Sequence, residues 1–255
     1  ALLIVGILYA WLQKEAPQSL RWLWLGCAAG LALAGGLALT MFSTAAWLND
    51  DALELFQAGM QLVAAALIVH MLWWLQRHRL QLRTGLVSGA QAALDSAYPP
   101  GIAVLAMIAI AREGAETAVF LYGIAQDPAF GLSSLLLALG AGMGAALATI
   151  ALLNASPKRV GWAAFFRISE AILLCLGAAL LIGGLEKLIG LEHIPAGIDP
   201  LWDSSALLDD STGIGNWLAS LAGYRALPSA TLVAAFVCYW LLALTGLRLV
   251  ERHTK

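Results

Sequence analysis

Charged residues are scarce in this chain. Asp, Glu, Lys and Arg make up only 12% of its 255 residues, whereas 61% of the residues are hydrophobic. Soluble globular domains contain about 25% charged residues, so the composition excludes an ordinary soluble domain. Ten Trp and five Tyr, many of them near the ends of long apolar runs, are typical of the interfacial belts of membrane proteins. We therefore expect a polytopic α-helical membrane protein with no nucleic-acid partner.

Residues that bind haem or soft metals are also few. Cys27, Cys175 and Cys238 lie in three different apolar runs and form no C-x-x-C pair, which indicates packing residues rather than disulfides or metal ligands. His70 has no partner histidine at a ligand-like spacing in another run, and the five methionines are dispersed, which argues against haem and against a copper(I) path. We expect no enzyme and no permanently bound cofactor.

The long apolar runs predict an all-α fold, a single transmembrane domain of seven helices. About 20 apolar residues suffice for a helix to cross a hydrocarbon layer of ~30 Å. A long outer loop at 186–228 precedes the last span, and its short apolar stretch 217–224 is interpreted as an interfacial or re-entrant piece. The expected spans are residues 1–13, 20–42, 52–75, 101–125, 132–153, 165–185 and 230–250.

The first run is too short to cross a membrane. It ends near Leu12, whereas a span needs about 17–25 residues. We therefore expect the native polypeptide to extend upstream of Ala1 by at least about a dozen residues.

The distribution of basic residues predicts the orientation. Eleven Lys and Arg lie on the side that carries the C-terminus, and only Lys187 and Arg225 lie on the opposite side. Cytoplasmic loops are rich in basic residues, so we expect a bacterial inner (plasma) membrane protein with an outer N-terminus and a cytoplasmic C-terminus. The eleven residues are Lys14, Arg21, Arg77, Arg79, Arg83, Lys158, Arg159, Arg167, Arg248, Arg252 and Lys255.

The fourth expected span carries three charged side chains near its middle. Arg112 and Glu116 are four residues apart and Glu113 and Glu116 are three apart, so all three project from nearly the same helix face. A charge at mid-depth costs about 2.5–3.5 kcal/mol unless it is paired, faces the protein interior, or meets water or an ion. Gly114, between the two carboxylates, is expected to allow close approach of a neighbouring helix.

Two convergent carboxylates offer the oxygen ligands that hard cations prefer. A structural ion pair with Arg112 is the alternative, but it would account for only one of the two carboxylates. We therefore assign Glu113 and Glu116 as metal ligands and Arg112 as the residue that balances their charge.

A polar stripe follows the third expected span. Glu54, Gln57 and Gln61 recur on one helix face, where they could line a path or join neighbouring helices. Asp50 and Asp51 precede them, and they could gather cations at an outer entrance or simply occupy a helix N-terminus, where acidic residues are favoured.

Two further acidic features have both a functional and a structural interpretation. Glu170, near the start of the sixth span, is a candidate exit ligand or an i, i+3 partner of Arg167. The outer loop contains six acidic residues, which could accept metal from a partner or be ordinary solvated side chains.

The Arg-Glu-Gly-Ala-Glu segment at 112–116 resembles the R-E-x-x-E signature of the high-affinity iron permease family. That family includes the fungal oxidase-linked iron permeases and the bacterial elemental iron uptake permeases. Similarity is also seen at 54–56 and, in the outer loop, at 200–203, 205–208 and 223–226, so the resemblance covers nearly the whole chain. The seven-span layout with an outer N-terminus also matches the family.

The resemblance implies an iron transporter in which carboxylates of two R-E-x-x-E motifs, in spans one and four, meet the ion. The cargo would be ferric iron, or iron delivered at the point of oxidation, and periplasmic proteins that bind or oxidise iron would be partners. The resemblance also implies an inverted repeat of three plus three helices with a seventh C-terminal helix.

The sequence departs from the family pattern in two places. The first R-E-x-x-E is absent, and its last Glu would fall just before Ala1, so the expected upstream extension should carry two carboxylates. Gln57 stands where relatives often have a second Glu.

Two other functions compete with iron transport. One is a permease for another cation, such as lead or manganese. The other is a haem-binding or redox membrane subunit, which would need the paired histidines or reactive cysteines that the sequence lacks.

Overall fold

A computed structural model describes residues 2–78, 100–124 and 162–253, together with residues 137, 140–145 and 148. These residues form no strand, so the prediction of an all-α fold is confirmed for the described part. The expected fifth span, 132–153, lies largely outside it, and so does the basic segment at 79–99. The helices are α1 (Leu2–Glu15), α2 (Leu20–Trp47), α3 (Asp50–His78), α4 (Pro100–Ile124), α5 (Trp162–Gly190), α6 (Gly213–Ala222) and α7 (Ala230–His253).

Several of these helices are long and apolar enough to cross a membrane. Four such segments occur in the described residues: Pro17–Trp47, Asp50–Trp74, Arg167–Gly190 and Ala230–Leu249. α4 has the required length, but every 18-residue stretch of it contains all three charged residues of its middle turn. The long apolar helices agree with a multi-pass membrane protein, and α4 differs from the other long helices by its charge.

Two helices extend five residues past their expected ends. α2 continues to Trp47, so that only two residues separate it from α3. α5 continues past residue 185 to Gly190. Lys187 on its last turn donates a hydrogen bond of 2.9 Å to Gln57. The outer loop is therefore shorter than expected, and it contains α6.

The chain groups into two compact units. The first consists of Ala1–Leu53, Trp73–Tyr122 and Leu247–Lys255, and the second of Glu54–Leu72 and Gly123–Gly246. α1, α2 and α4 belong to the first unit. The middle of α3, together with α5, α6 and most of α7, belongs to the second.

In the first unit, α2 and α4 run in the same direction and touch without intervening side chains. A methyl group at Gly26 of α2 would overlap the carbonyl oxygen of Ala103, and Gly30 makes a second close contact one turn later. Further along, the rings of Phe42 and Tyr122 meet edge to face with centroids 5.4 Å apart. Residue numbers at the contacts rise along both helices, so the two helices are parallel. Spans two and four of an alternating topology must be parallel when they are neighbours.

A small apolar core joins α1 to this helix pair. Its side chains come from α1, from the turn that follows it, and from the first halves of α2 and α4. Leu8, Leu12, Leu23 and Ile102 are completely buried in it. The other buried members are Ala16, Cys27, Ala106 and Ile110.

In the second unit, α3 and α5 run in opposite directions. A methyl group at Gly184 would lie 3.1 Å from the carbonyl oxygen of Ala58, and one at Gly177 would lie 3.4 Å from Cγ2 of Ile68. Residue numbers thus rise along α5 as they fall along α3. Spans three and six of an alternating topology must be antiparallel in this way.

α7 joins the second unit through Tyr239. The Tyr239 hydroxyl donates a hydrogen bond of 2.8 Å to the carbonyl oxygen of Leu174 on α5. The same hydroxyl group occupies the space that a side chain at Gly177 would need. Gly177 therefore allows α5 to approach both α3 and α7 closely.

Gly26→Ala should destabilise the protein, because the added methyl group would overlap the backbone of α4. Overpacking of this kind typically costs about 1–3 kcal/mol. Gly35→Ala on the same helix is the matched control, since no atom of the described chain lies within 4 Å of its added methyl group. Alanine is favoured over glycine in a helix by about 1 kcal/mol, so this control should unfold at the same or a higher temperature.

Thermal unfolding of both variants in the same detergent would measure the difference. Equal unfolding midpoints for Gly26→Ala and Gly35→Ala would contradict the close contact between α2 and α4.

Candidate functional site

The charged turn in the middle of α4 is the candidate site. Nε of Arg112 lies 3.2 Å from Oε1 of Glu116, one helical turn further along. The Glu116 side chain is only 12% exposed and the Arg112 side chain 43%. A charge-assisted hydrogen bond of this kind is roughly twice as strong as one between neutral groups. The structure therefore places the arginine against one of the two carboxylates, and that carboxylate is Glu116.

Trp74 of α3 supports the other side of Arg112. The guanidinium carbon of Arg112 lies 4.8 Å from the centroid of a Trp74 ring. An aromatic face attracts a cation by about 0.5–2 kcal/mol, with the larger values where water is excluded. Arg112 is thus held between a carboxylate and an indole. The sequence marked Trp74 only as one of many tryptophans near a span end, so this contact was not predicted.

Gly114 brings α2 directly against the charged turn. A methyl group at Gly114 would lie 2.5 Å from Cβ of Ala34 on α2, closer than real Cβ contacts come. The absence of a side chain at Gly114 is therefore what permits the two helices to touch at this level. The sequence predicted such an approach but not the identity of the neighbouring residue.

Glu113 lies on the adjacent position of the same turn and is partly buried. Its carbonyl oxygen accepts a hydrogen bond of 2.8 Å from the hydroxyl group of Thr117, which stays within the helix. Within the described part of the chain, no three side chains of His, Cys, Asp or Glu converge closely enough to hold a metal ion. Two carboxylates supply at most four oxygens, whereas hard cations typically take about six or more.

The start of α3 is capped by Asn49. The Asn49 side chain accepts a hydrogen bond of 3.3 Å from the backbone of Ala52, and the first turn that follows contains the exposed Asp50 and Asp51. Glu54, one turn further, is partly buried. The two aspartates thus occupy a helix N-terminus, where acidic side chains are electrostatically favoured. Their role at an outer entrance stays a prediction.

The polar stripe of α3 faces α5. Oε1 of Gln57 accepts the 2.9 Å hydrogen bond from Nζ of Lys187. Gln61 is buried, and the missing side chain of Gly183 makes room for it, because a methyl group there would lie 3.1 Å from Oε1 of Gln61. Both glutamines therefore contribute to the contact between two helices, which was one of their two predicted roles. Path lining by these residues stays a prediction.

Glu186 and Arg225 form an ion pair that the sequence did not reveal. Nη2 of Arg225 lies 2.6 Å from Oε2 of Glu186, and Nε of the same arginine contacts Oε1, so the guanidinium binds the carboxylate through two nitrogen atoms. Nη1 also donates a hydrogen bond of 2.9 Å to the carbonyl oxygen of Tyr224. The two residues are 39 positions apart, and only the fold brings them together.

Two acidic residues between α5 and α7 form hydrogen bonds with nearby serines. The carboxylate of Asp203 accepts hydrogen bonds from the hydroxyl and the backbone N–H of Ser205, and Asp209 accepts the same pair from Ser211. Both hydrogen bonds lower the pKa of each carboxyl group, and the bond from the serine hydroxyl has the larger effect. These exposed side chains organise their own turns, and acceptance of metal by them stays a prediction.

Glu170 lies in the third turn of α5 and is partly buried. Arg167, three residues earlier, is exposed. The role of Glu170 as an exit ligand stays a prediction.

Gly114→Ala should weaken the contact between α2 and α4, because the two facing methyl groups would be 2.5 Å apart. We expect lower thermal stability and reduced transport. Ala34→Gly in the same chain should restore both, because it removes the methyl group that the new alanine meets. Unfolding midpoints and transport rates of the single and double variants would measure this. A double variant no better than Gly114→Ala alone would show that the facing pair is wrong.

Comparisons with known proteins identify the family of the chain. Residues 1–250 match the model of the iron permease FTR1 family. The ferrous iron permease EfeU of Shigella sonnei is 27% identical over 262 residues, which cover 99% of this chain and 92% of that protein. The ferrous iron permease EfeU of Yersinia pestis is 24% identical over 267 residues, which cover 100% of this chain and 90% of that protein. No solved structure matches the chain. Because the family match covers nearly its whole length, this protein belongs to the iron permease FTR1 family.

Proposed function

We propose that this protein is a permease that moves iron across the bacterial inner membrane, and that the carboxylates of Glu113 and Glu116 bind the ion during its passage. The observation that carries the proposal is the pair of carboxylates in the middle of α4, with Arg112 against one of them. Carboxylate oxygens are suitable ligands for hard cations. Membership of an iron permease family supports iron as the cargo.

The charge balance of the cluster supports this assignment. This turn contains two carboxylates and one guanidinium, so Arg112 can offset one of the two negative charges. A guanidinium repels cations and has no lone pair to offer, so Arg112 is a positioning residue rather than a ligand. Its presence lowers the cost of keeping two carboxylates in the membrane before the ion arrives.

The printed names of the relatives support a proposal for the oxidation state of the cargo. Both relatives described above are named ferrous iron permeases, so we propose ferrous iron as the form that reaches α4. Ferric iron, or iron oxidised where it is delivered, is the other form to test. Lead and manganese are the competing cations.

The remaining acidic residues fit the ends of such a path. In the proposed orientation, Asp50, Asp51 and Glu54 lie at the outer end of α3, where their charge would attract cations. Glu170 lies near the inner end of α5 and is the candidate for release. Periplasmic proteins that bind or oxidise iron would deliver the ion, and a second R-E-x-x-E motif in an inverted repeat would complete its ligands.

Glu113→Gln and Glu116→Gln should each abolish iron uptake, because each replaces an anionic oxygen by a neutral amide of nearly the same size. Uptake of radioactive iron into proteoliposomes, at set pH and voltage, would measure this. Arg112→Lys should also impair uptake, since an ammonium cannot reproduce the planar guanidinium that binds Glu116 and lies over Trp74. Unlabelled ferric iron, lead and manganese as competitors would test the choice of cargo.

Glu15→Gln is the matched control for these variants. Glu15 is the last residue of α1 and is none of the proposed ligands, so the same chemical change there should leave uptake unaltered. All variants must unfold at the wild-type temperature for the comparison to count. Wild-type uptake by Glu116→Gln would show that this carboxylate does not bind the cargo.

The proposed orientation has a separate test by cysteine labelling. In a chain whose three native cysteines are replaced, Ala206→Cys should react with a membrane-impermeant thiol reagent added from outside. Arg79→Cys, in the basic segment, should react only after the membrane is permeabilised, because basic loops face the cytoplasm. The reverse pattern would place the acidic outer segment in the cytoplasm.

A further inference from the structure

α6 lies outside the seven predicted spans, yet none of its ten residues is charged. Its faces differ in character. Gly215 and Ala219 are buried, whereas Asn216 and Ser220 form a polar edge on which the serine hydroxyl donates a hydrogen bond of 3.4 Å to the Asn216 side chain. The large apolar side chains, which are 41% to 74% exposed, are Ile214, Trp217, Leu218 and Leu221.

The C-terminal end of α6 lies against the middle of α5. A methyl group at Gly223, directly after α6, would be 3.1 Å from the carbonyl oxygen of Ala178 and 3.1 Å from Cα of Ala179. Ala178 lies near the midpoint of the apolar segment Arg167–Gly190. Contact at this level places the end of α6 beside the centre of a membrane span.

The depth of this contact can be measured along α5. Toward the Gly190 end, the first charged residue after Ala178 is Glu186, eight positions further along the helix. Eight residues correspond to about 12 Å at a rise of 1.5 Å per residue. Half of the hydrocarbon layer is about 15 Å thick. Gly223 therefore lies well inside the apolar part of the bilayer.

The last carbonyl groups of α6 have partners within the protein. A helix that ends inside a membrane must satisfy its last carbonyl groups within the protein. Gly223 adopts a left-handed conformation with φ of 74°, and its N–H donates a hydrogen bond of 3.0 Å to the carbonyl oxygen of Ala219. The N–H of Tyr224 reaches the carbonyl oxygen of Leu218 at 3.4 Å. This glycine cap satisfies carbonyls that would otherwise face lipid.

The residues that follow the cap also form hydrogen bonds within the protein. The Tyr224 hydroxyl donates a hydrogen bond of 2.9 Å to the carbonyl oxygen of Leu208, and the Ala226 N–H donates one of 3.0 Å to Asp210. Arg225 is the first charged residue after α6, and its side chain binds Glu186. Non-helical backbone is tolerated at membrane depth when it is buried in protein, and this condition is met here.

We propose that α6 is a re-entrant membrane helix whose exposed apolar face contacts the acyl chains of the lipid. Gly215 and Ala219 form the buried face of α6, where a methyl group at Gly215 would overlap the backbone of Asp209, and Trp217 and Leu221 lie on the opposite face. At the depth fixed by Gly223, the surroundings of such a face are hydrocarbon. Lipid is therefore the partner of this surface, and part of the segment between α5 and α7 belongs to the membrane domain.

Spin labels can test this proposal. In the cysteine-replaced chain, nitroxide labels on Ile214→Cys, Trp217→Cys and Leu221→Cys would be compared in lipid nanodiscs by their collisions with oxygen and with a water-soluble nickel chelate. We expect oxygen to dominate at all three, with an oxygen-to-nickel ratio that rises several-fold from residue 214 to residue 221. Ala206→Cys is the control, since this exposed residue precedes α6 and should collide mainly with nickel.

An intact chain provides a second test that needs no substitution. Photoactivatable diazirine groups on the lipid acyl chains should label residues 213–222 and leave residues 203–211 unlabelled. Dominant nickel collisions at residues 217 and 221 would place α6 in water and overturn the proposal. Low collision rates with both reagents, together with no lipid adducts, would show that protein, such as a second copy of the chain, covers this face instead.

Discussion

Three charged side chains on one turn of an apolar helix need partners, and this need governs the surroundings of α4. Arg112 contacts the carboxylate of Glu116 and the indole of Trp74. Each contact replaces water that the guanidinium would lose in an apolar environment. An unpartnered charge at the middle of a membrane costs about 2.5–3.5 kcal/mol or more, which is a large fraction of the stability of a protein. The motif can therefore persist only with these neighbours in place.

Close helix contacts supply the framework for these partners. Lipid is as apolar as the helix surfaces, so association depends on close packing and on hydrogen bonds between helices rather than on a hydrophobic driving force. Gly26, Gly30 and Gly114 mark the contact between α2 and α4, and Gly177 and Gly184 mark that between α3 and α5. In the second pair, the bond from Lys187 to Gln57 adds a polar link. Small residues thus position the carboxylates as much as the charged residues do.

The sequence predicts those features that depend on local spacing. Apolar runs place the helices, and the i, i+4 relation of Arg112 and Glu116 places their side chains within reach whatever the rest of the chain does. The link between Lys187 and Gln57 spans 130 positions and depends on the register of α3 against α5, which no local pattern encodes. The extent of α5 was underestimated for the same reason, since a lysine at a helix end resembles a loop residue until its partner is known. Glycine pairs give an intermediate case: Gly114 predicts a close neighbour, but only the fold identifies Ala34.

The contact between α2 and α4 also restricts the motions that are open to a transporter. From Gly26 to Phe42, the two helices stay in step over 16 residues of α2, or about 24 Å. If one helix slid past the other, the methyl group of Ala34 would meet turns of α4 that have a side chain where Gly114 has none. Separating the helices would expose backbone that now lies in direct contact. A rearrangement that preserves this contact would therefore move Glu113 and Glu116 together with α2 as one rigid body.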